Sequence, residues 1–339
     1  MNSEEIAVVK ELLKKPKKIV VVGHKNPDGD AIGSCLGLSN FLRQLGHQVT
    51  TVMPNDFPDF LKWIPEASEI INLEQDSEKT ISAIHKANLI FTLDFNALNR
   101  TGNLENILEK ATANFILIDH HQQPGDYAIV TYSDIAMCST SEMVFHFMEY
   151  LESISKLNTE IATQLYVGIM TDTGSFRYPS TTATTHRVIA DLIDAGAKNA
   201  EIHQNTYDTN SPDRLKLLGV ALNNMVVLPE FKTAYITISQ DELNNNNFKK
   251  GDTEGFVNYS LSMKGVVFAA IFIENKKEDI VKISLRSKGN FNVNQFSRNH
   301  FHGGGHINAA GGKSLKPLNE TVSEFIKLLP EYKTDLHES

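Results

Sequence analysis

The stretch GHKNPDGDAIGS (23–34) places His24, Asp28 and Asp30 directly after the apolar, β-branched run KKIVVVGH (17–24). One Asp ahead of an apolar periodic segment is a common helix cap. An imidazole and two carboxylates together exceed what a cap requires. More such groups follow: Asp94 closes LIFTLD, Asp119, His120 and His121 close FILIDHH, and Asp172 ends a helical run in GIMTDTGSF (168–176). Carboxylates gathered without countercharge force some of their number to stay protonated. Divalent cations remove that conflict, and oxygen-rich sets with a minority of imidazole nitrogens suit Mn²⁺ or Mg²⁺ better than an ion selected by thiolates. The groups available are enough for two ions.

These residues can meet only if the elements before them end on one edge. The first 195 residues alternate short β-branched runs with helical patterns, the signature of βαβ units around a parallel sheet. Strands are expected at 17–24, 47–53, 88–95 and 114–121, with 127–134 following at an edge. Helices are expected at 31–45, 77–86, 139–151, 160–170 and 183–194. Open α/β sheets bind ligands just beyond the carboxyl ends of their strands. His24 with Asp28 and Asp30, then Asp94, then Asp119 with its two histidines, all stand at such ends.

A length of 339 residues accommodates two domains, and 41% hydrophobic with 22% charged residues is the composition of an ordinary soluble globular protein. No run approaches the ~20 apolar residues of a membrane span, and MNSEEIAVVKELLKK lacks the order of a signal peptide, so the cytoplasm is the expected location. Cys35 and Cys138 have no metal-like spacing and read as reduced, buried side chains. A formal charge of −9 disfavours coating long DNA or RNA and leaves short, phosphate-bearing substrates open. The charge is uneven: eight Lys or Arg against Glu278 and Asp279 make residues 276–316 +6 and the remainder −15.

Within 194–214 the strand pattern stops and Gly, Asn, Ser and Pro accumulate. This reads as a connector, 196–215, between domains at 1–195 and 216–339. The second domain should be a smaller α/β unit with strands at 231–239, 265–274 and 279–287, the last two joined by the polar turn NKKE. Asn244 to Asn247 reads as a short exposed loop. The glycine-rich GGGHINAAGG (303–312) lets backbone N–H groups approach an anion, and Arg286 in SLRS favours a phosphate there.

The ordered set HKNPDGDA, the Asp of TLDF, DHH (119–121) and the Asp of TDTG resembles the DHH phosphoesterase family, and 284–312 is similar to the glycine-rich signature of the associated DHHA1 domain. The resemblance covers essentially the whole chain. It implies a doubly wound, mainly parallel sheet in the N-terminal domain and a smaller C-terminal domain across a cleft. It also implies one ion on His24, Asp28 and Asp94, and a second on Asp30, Asp94, His120 and Asp172, with Asp94 bridging. Asp119 would orient the adjacent ligand, and His121 would face the substrate phosphate or leaving oxygen. Arg286, Gly303, Gly304, Gly305 and His306 would hold the rest of the substrate. Two ions about 3.5–4 Å apart serve in-line hydrolysis of a phosphoester.

Within the family, this compact form resembles the nanoRNase and 3′-phosphoadenosine-5′-phosphate phosphatase group. The implied activity is manganese-dependent hydrolysis of short oligoribonucleotides, dinucleotides and that bisphosphate. The nearest alternative is a phosphodiesterase for cyclic di-AMP or pApA. An inorganic pyrophosphatase would carry a different C-terminal domain lacking GGGH, and a non-catalytic nucleotide sensor would be expected to lack a ligand.

Overall fold

The valine and isoleucine runs form strands because β-branched side chains fit a pleated surface buried on both faces. In the computed structural model, which describes residues 1–339, β1 (Lys18–Val22) sends Ile19 and Val21 into one hydrophobic core and Val20 and Val22 into another. The chain divides into two units, Met1–Thr209 and Asn210–Ser339. No helix is long and apolar enough to cross a membrane.

In the first unit β1 is joined by β2 (Gln48–Met53), β3 (Ile71–Asn72), β4 (Leu89–Leu93), β5 (Asn114–Asp119) and β6 (Val130–Ser133). The order is β3-β2-β1-β4-β5-β6, and every neighbouring pair is parallel. Its helices are α1 (Ser3–Leu13), α2 (Gly29–Gln44), α3 (Ser77–Lys86), α4 (Glu105–Leu108), α5 (Thr140–Tyr150), α6 (Thr159–Asp172), α7 (Ala183–Asp194) and α8 (Asn199–Tyr207). The direction of winding reverses between β1 and β4, which makes the carboxyl ends of those two strands the switch point where doubly wound sheets bind ligands.

Helices α2 and α6 pass unusually close. A Cβ on Gly33 would lie 2.4 Å from the Gln164 carbonyl oxygen, and one on Gly168 would lie 2.7 Å from Asp30 Oδ1. Gly29, Gly33 and Gly37 repeat every four residues, so they fall on one face of α2. That face meets Thr171, Gln164 and Leu165 of α6.

The second unit contains β7 (Val226–Leu228), β8 (Thr233–Ile238), β9 (Phe268–Asn275), β10 (Ile280–Ser287), β11 (Gly304–Gly305) and β12 (Ala309–Ser314), ordered β11-β12-β10-β9-β8-β7. Only β8 and β9 pair in parallel. The helices are α9 (Pro212–Asn223), α10 (Gln240–Asn245), α11 (Phe256–Leu261), α12 (Val293–His300), α13 (Leu318–Leu328) and α14 (Lys333–Glu338). One sheet face carries a phenylalanine-rich core that includes Phe268, Phe272, Phe296 and Phe325, and the other packs Ile236, Ile238 and Ile271 against α9 and α11 residues.

The division between the units falls after Thr209, within the segment expected as a connector, 196–215, and α8 belongs to the first unit because Ile202 is buried in its core. One expectation is corrected. The asparagine run begins inside α10, which Ser239 and Glu242 start with a reciprocal capping box. The glycine segment is largely a β-hairpin, β11 and β12.

Candidate metal centre

Asp28 ends the loop after β1 as the N-cap of α2, its Oδ1 accepting from the N–H groups of Asp30 and Ala31 at 3.1 Å. The cap and a second role coexist, because the same carboxylate lies 3.8 Å from His24 Nε2. His24 Nδ1 stands 2.9 Å from the Lys25 carbonyl. A carbonyl only accepts, so Nδ1 carries a proton, and it is Nε2 that faces the carboxylates. His120 repeats the arrangement, with Nδ1 donating to the Met137 carbonyl at 3.2 Å.

Asp94 sits immediately after β4 with φ 64°, in the left-handed region. That conformation costs a non-glycine residue about 1–2 kcal/mol, and Asp tolerates it better than most. Its Oδ2 is 3.5 Å from His24 Nε2 and its Oδ1 is 3.5 Å from His120 Nε2. His120 Nε2 is also 3.4 Å from Asp172 Oδ2 and 3.9 Å from Asp30 Oδ2. These separations are long for hydrogen bonds. They are close to the roughly 3–3.5 Å that separates neighbouring ligands on one ion with bonds of about 2.0–2.2 Å.

The ligand atoms fall into groups within 4.8 Å of one another: His24, Asp28 and Asp94; and Asp30, His120 and Asp172. The carboxylates' ion-pair partners are histidines alone. Burial and the charges of Asp94 and Asp172 push the Asp30 carboxyl well up. Burial, then the charges of Asp94 and Asp28, raise Asp172 to about 6. Burial opposes ionisation of Asp94 as well, but His120 and His24 hold its carboxyl well below the ordinary range. Both imidazoles are raised well above their usual value, the carboxylates outweighing burial. Without metal the site keeps protons where cations would neutralise it, and this donor set fits two hard divalent ions.

Asp119 does not bond the neighbouring His120. Its Oδ1 pairs with His121 Nδ1 at 2.7 Å, so the residue it orients is His121. The other oxygen, Oδ2, is buried without a hydrogen-bond partner.

Two contributors were absent from the sequence reading. The N-terminus of α5 aims the Thr140 and Ser141 N–H groups at Asp30, at 2.6 and 2.9 Å. Thr140 Oγ1 also donates to Asp94 Oδ1 at 3.0 Å, so one residue touches a carboxylate of each group. Unpaired N–H groups and the helix dipole favour an anion there. The signal was available in STSE (139–142), a Ser-x-x-Glu helix start, with Ser139 accepting from the Glu142 N–H.

In the second unit Arg286 stands on β10 between Ala269 and Ala309. Its Nη1 donates to the Leu285 carbonyl, and its Nε is buried without a partner. The expected anion nest is altered, because the N–H groups of Gly303, Gly305 and His306 already donate to the Ser297 carbonyl, Asn294 Oδ1 and the Ala309 carbonyl. The glycines serve close approach within the hairpin instead: a Cβ on Gly303 would meet the Gly311 carbonyl oxygen at 1.9 Å.

Protons and cations compete for the same atoms, so divalent-metal affinity should weaken as pH falls through about 6, where Asp172 takes up its proton. The sign for folding follows. A carboxyl raised in the folded state favours the metal-free fold at pH below its unfolded value, and that contribution is lost as pH rises through about 6. Stabilisation by metal should therefore grow across this window. Calorimetric Mn²⁺ titration at pH 5.5 and 7.5, in buffers of different ionisation enthalpy, measures both affinity and released protons. A pH-independent affinity without proton release would contradict the assignment.

The model of the DHH family, N-terminal domain, matches residues 18–169, and that of the DHHA1 domain matches 231–334. The chain is 29% identical over 330 residues to the bifunctional oligoribonuclease and PAP phosphatase NrnA of Thermus thermophilus, covering 96% of this chain and 94% of that protein. It is 29% identical over 297 residues to the Bacillus subtilis protein of the same name, covering 86% and 88% respectively. The crystal structure of an exopolyphosphatase-related protein from Bacteroides fragilis superposes with a TM-score of 0.94 at 38% identity, covering 99% of this chain and 98% of that one. With both domain matches in order along a chain that aligns nearly end to end with these relatives, the protein belongs to the DHH family and carries a C-terminal DHHA1 domain.

Proposed function

We propose that the protein is a two-metal, manganese-supported phosphoesterase that hydrolyses short oligoribonucleotides, phosphorylated dinucleotides and 3′-phosphoadenosine-5′-phosphate. The observation that carries this reading is Asp94, whose two oxygens face two different imidazole nitrogens at 3.5 Å each, the arrangement of a carboxylate shared by two ions. His24, Asp28 and Asp94 would hold one ion, and Asp30, Asp94, His120 and Asp172 would hold the other. When bound, such a pair lowers the pKa of water and neutralises charge on the phosphoryl oxygens. Thr140 and Ser141 keep the Asp30 carboxylate in place through their N–H groups. Asp119 accepts from His121 Nδ1 and holds the ring in one orientation; in its doubly protonated form His121 would pass the Nε2 proton to the leaving oxygen and recover one from solvent. The side chains of Arg286 and His306 bind the part of the nucleotide that is not hydrolysed, with Gly303, Gly304 and Gly305 shaping the hairpin beside them. The names of the relatives from Thermus thermophilus and Bacillus subtilis support the substrate class.

The test is a comparison of kcat/KM, with Mn²⁺ and with Mg²⁺, on pApA, RNAs of increasing length, 3′-phosphoadenosine-5′-phosphate, cyclic di-AMP and pyrophosphate. Short RNAs or the bisphosphate should lead, with Mn²⁺ the better ion, and excess EDTA should remove activity. Preference for pyrophosphate, or turnover that survives chelation, would overturn the reading. Arg286→Ala should lower kcat/KM on nucleotides about tenfold to a hundredfold, the loss of one charge-assisted hydrogen bond of about 1.5–3 kcal/mol. Bis-p-nitrophenyl phosphate, which offers no nucleotide to grip, should be affected far less. Equal losses on both would mean that Arg286 acts in the chemical step or in folding.

A further inference from the structure

Helix α12 lies beside the glycine hairpin and carries Asn294 and Arg298 one turn apart. Asn294 is buried, and its Oδ1 accepts two hydrogen bonds, from the Gly305 N–H at 3.1 Å and from Arg298 Nε at 3.0 Å. One oxygen thus ties the hairpin backbone and the guanidinium together. The guanidinium also runs along the backbone of Gly304, where a Cβ would lie 3.8 Å from both Arg298 Nε and Nη2. Arg298 is exposed and forms no ion pair. Its Nε is consumed in the anchor, and the Nη1 and Nη2 groups keep their donors in a planar fork of fixed direction.

This differs from a solvated surface arginine in two respects. An arginine pinned at Nε has already lost much of its side-chain freedom, so a ligand need not order it. The glycine edge beside it also leaves space that a side chain would fill. Because the Gly303, Gly305 and His306 amides are occupied internally, an anion at this hairpin needs donors from side chains.

We propose that Arg298, anchored by Asn294, forms a phosphate subsite beside Gly304, distinct from Arg286, for a nucleotide phosphate other than the one hydrolysed. The proposal rests on the nucleotide reading above and narrows it: the favoured short substrates are those that carry an additional terminal phosphate. The planar fork suits two oxygens of such a dianionic group.

The matched probes are pApA and ApA, which differ by one 5′-phosphate. The kcat/KM ratio of pApA to ApA should favour pApA in the unaltered protein and fall about tenfold to a hundredfold in Arg298→Ala, the effect of one charge-assisted phosphate contact. Asn294→Ala, which frees the guanidinium without removing it, should lower the ratio in the same direction. An unchanged ratio in Arg298→Ala, including one produced by equal losses on both dinucleotides, would overturn the subsite. Calorimetric binding of the same two compounds to the metal-free protein reads the subsite without catalysis. If neither compound is hydrolysed but pApA binds better than ApA and Arg298→Ala removes the difference, the subsite stands and the hydrolysis reading fails. If binding of the two is equal, the subsite fails.

Discussion

Asp94→Asn is expected to lower kcat/KM by about a thousandfold or more while the fold persists. Each ion contributes several kcal/mol of charge stabilisation, about 1.4 kcal/mol is tenfold in rate, and Asp94 alone faces both groups of ligands. Asn keeps the shape and still offers an oxygen to Thr140 Oγ1, which now donates to Asp94 Oδ1 at 3.0 Å. What it lacks is the charge that two ions would share. Bound metal per chain should fall from two to one or none. The comparison is Asp172→Asn, whose carboxylate meets only the His120 group and should disturb one ion. Near-normal turnover with two metals bound to Asp94→Asn would refute the bridging role.

The second large effect is expected from a single methyl group. In Gly168→Ala the new Cβ would lie 1.9 Å from Ser141 Oγ and 2.7 Å from Asp30 Oδ1, distances at which something must move. The backbone of Gly33 packs there as well, its own Cβ position being 3.2 Å from Gly168 Cα, so α6 cannot shift toward α2 to relieve the contact with Ser141. Overpacking of this kind costs about 1–3 kcal/mol. Displacing Asp30 by even ~1 Å should lower kcat/KM about a hundredfold. Thermal unfolding and Mn²⁺ affinity, measured together, read both consequences. The control is the same substitution at Gly219 of α9, where nothing lies within 4 Å of the new methyl. There, removal of glycine from an exposed helix should stabilise by about 0.5–1 kcal/mol. If Gly168→Ala matches that control in stability and metal affinity, the close crossing of α2 and α6 does not constrain the site.

The sheet of the first unit was legible in the sequence because its signal is local. The runs at 17–24, 88–95 and 114–121 have apolar centres, IVVV, LIFTL and FILI, a pattern that suits strands buried on both faces, and each ends in residues that meet at the site. That the candidate ligand residues share an edge could be anticipated for the same reason: strands β1, β4 and β5 are neighbours and parallel, so residues after their carboxyl ends lie together. Cys35 and Cys138 are free and buried, as their isolation along the chain implied.

What lies between elements was decided by tertiary structure. The pairing of Asp119 with His121 instead of His120 depends on side-chain directions that consecutive residues at a strand end do not specify. STSE marks the start of α5, but that its Thr140 and Ser141 N–H groups serve Asp30, 110 and 111 positions away, is encoded by no local pattern. The glycine segment misled for a related reason. Its composition is that of a loop, and only the pairing of Gly304 with Gly311 and Gly305 with Ala310 makes it a hairpin in which a Cβ would collide with the opposite strand. Local propensity specifies which residues can form an element, whereas the partners that satisfy buried N–H groups and carboxylates are fixed only when distant segments pack together.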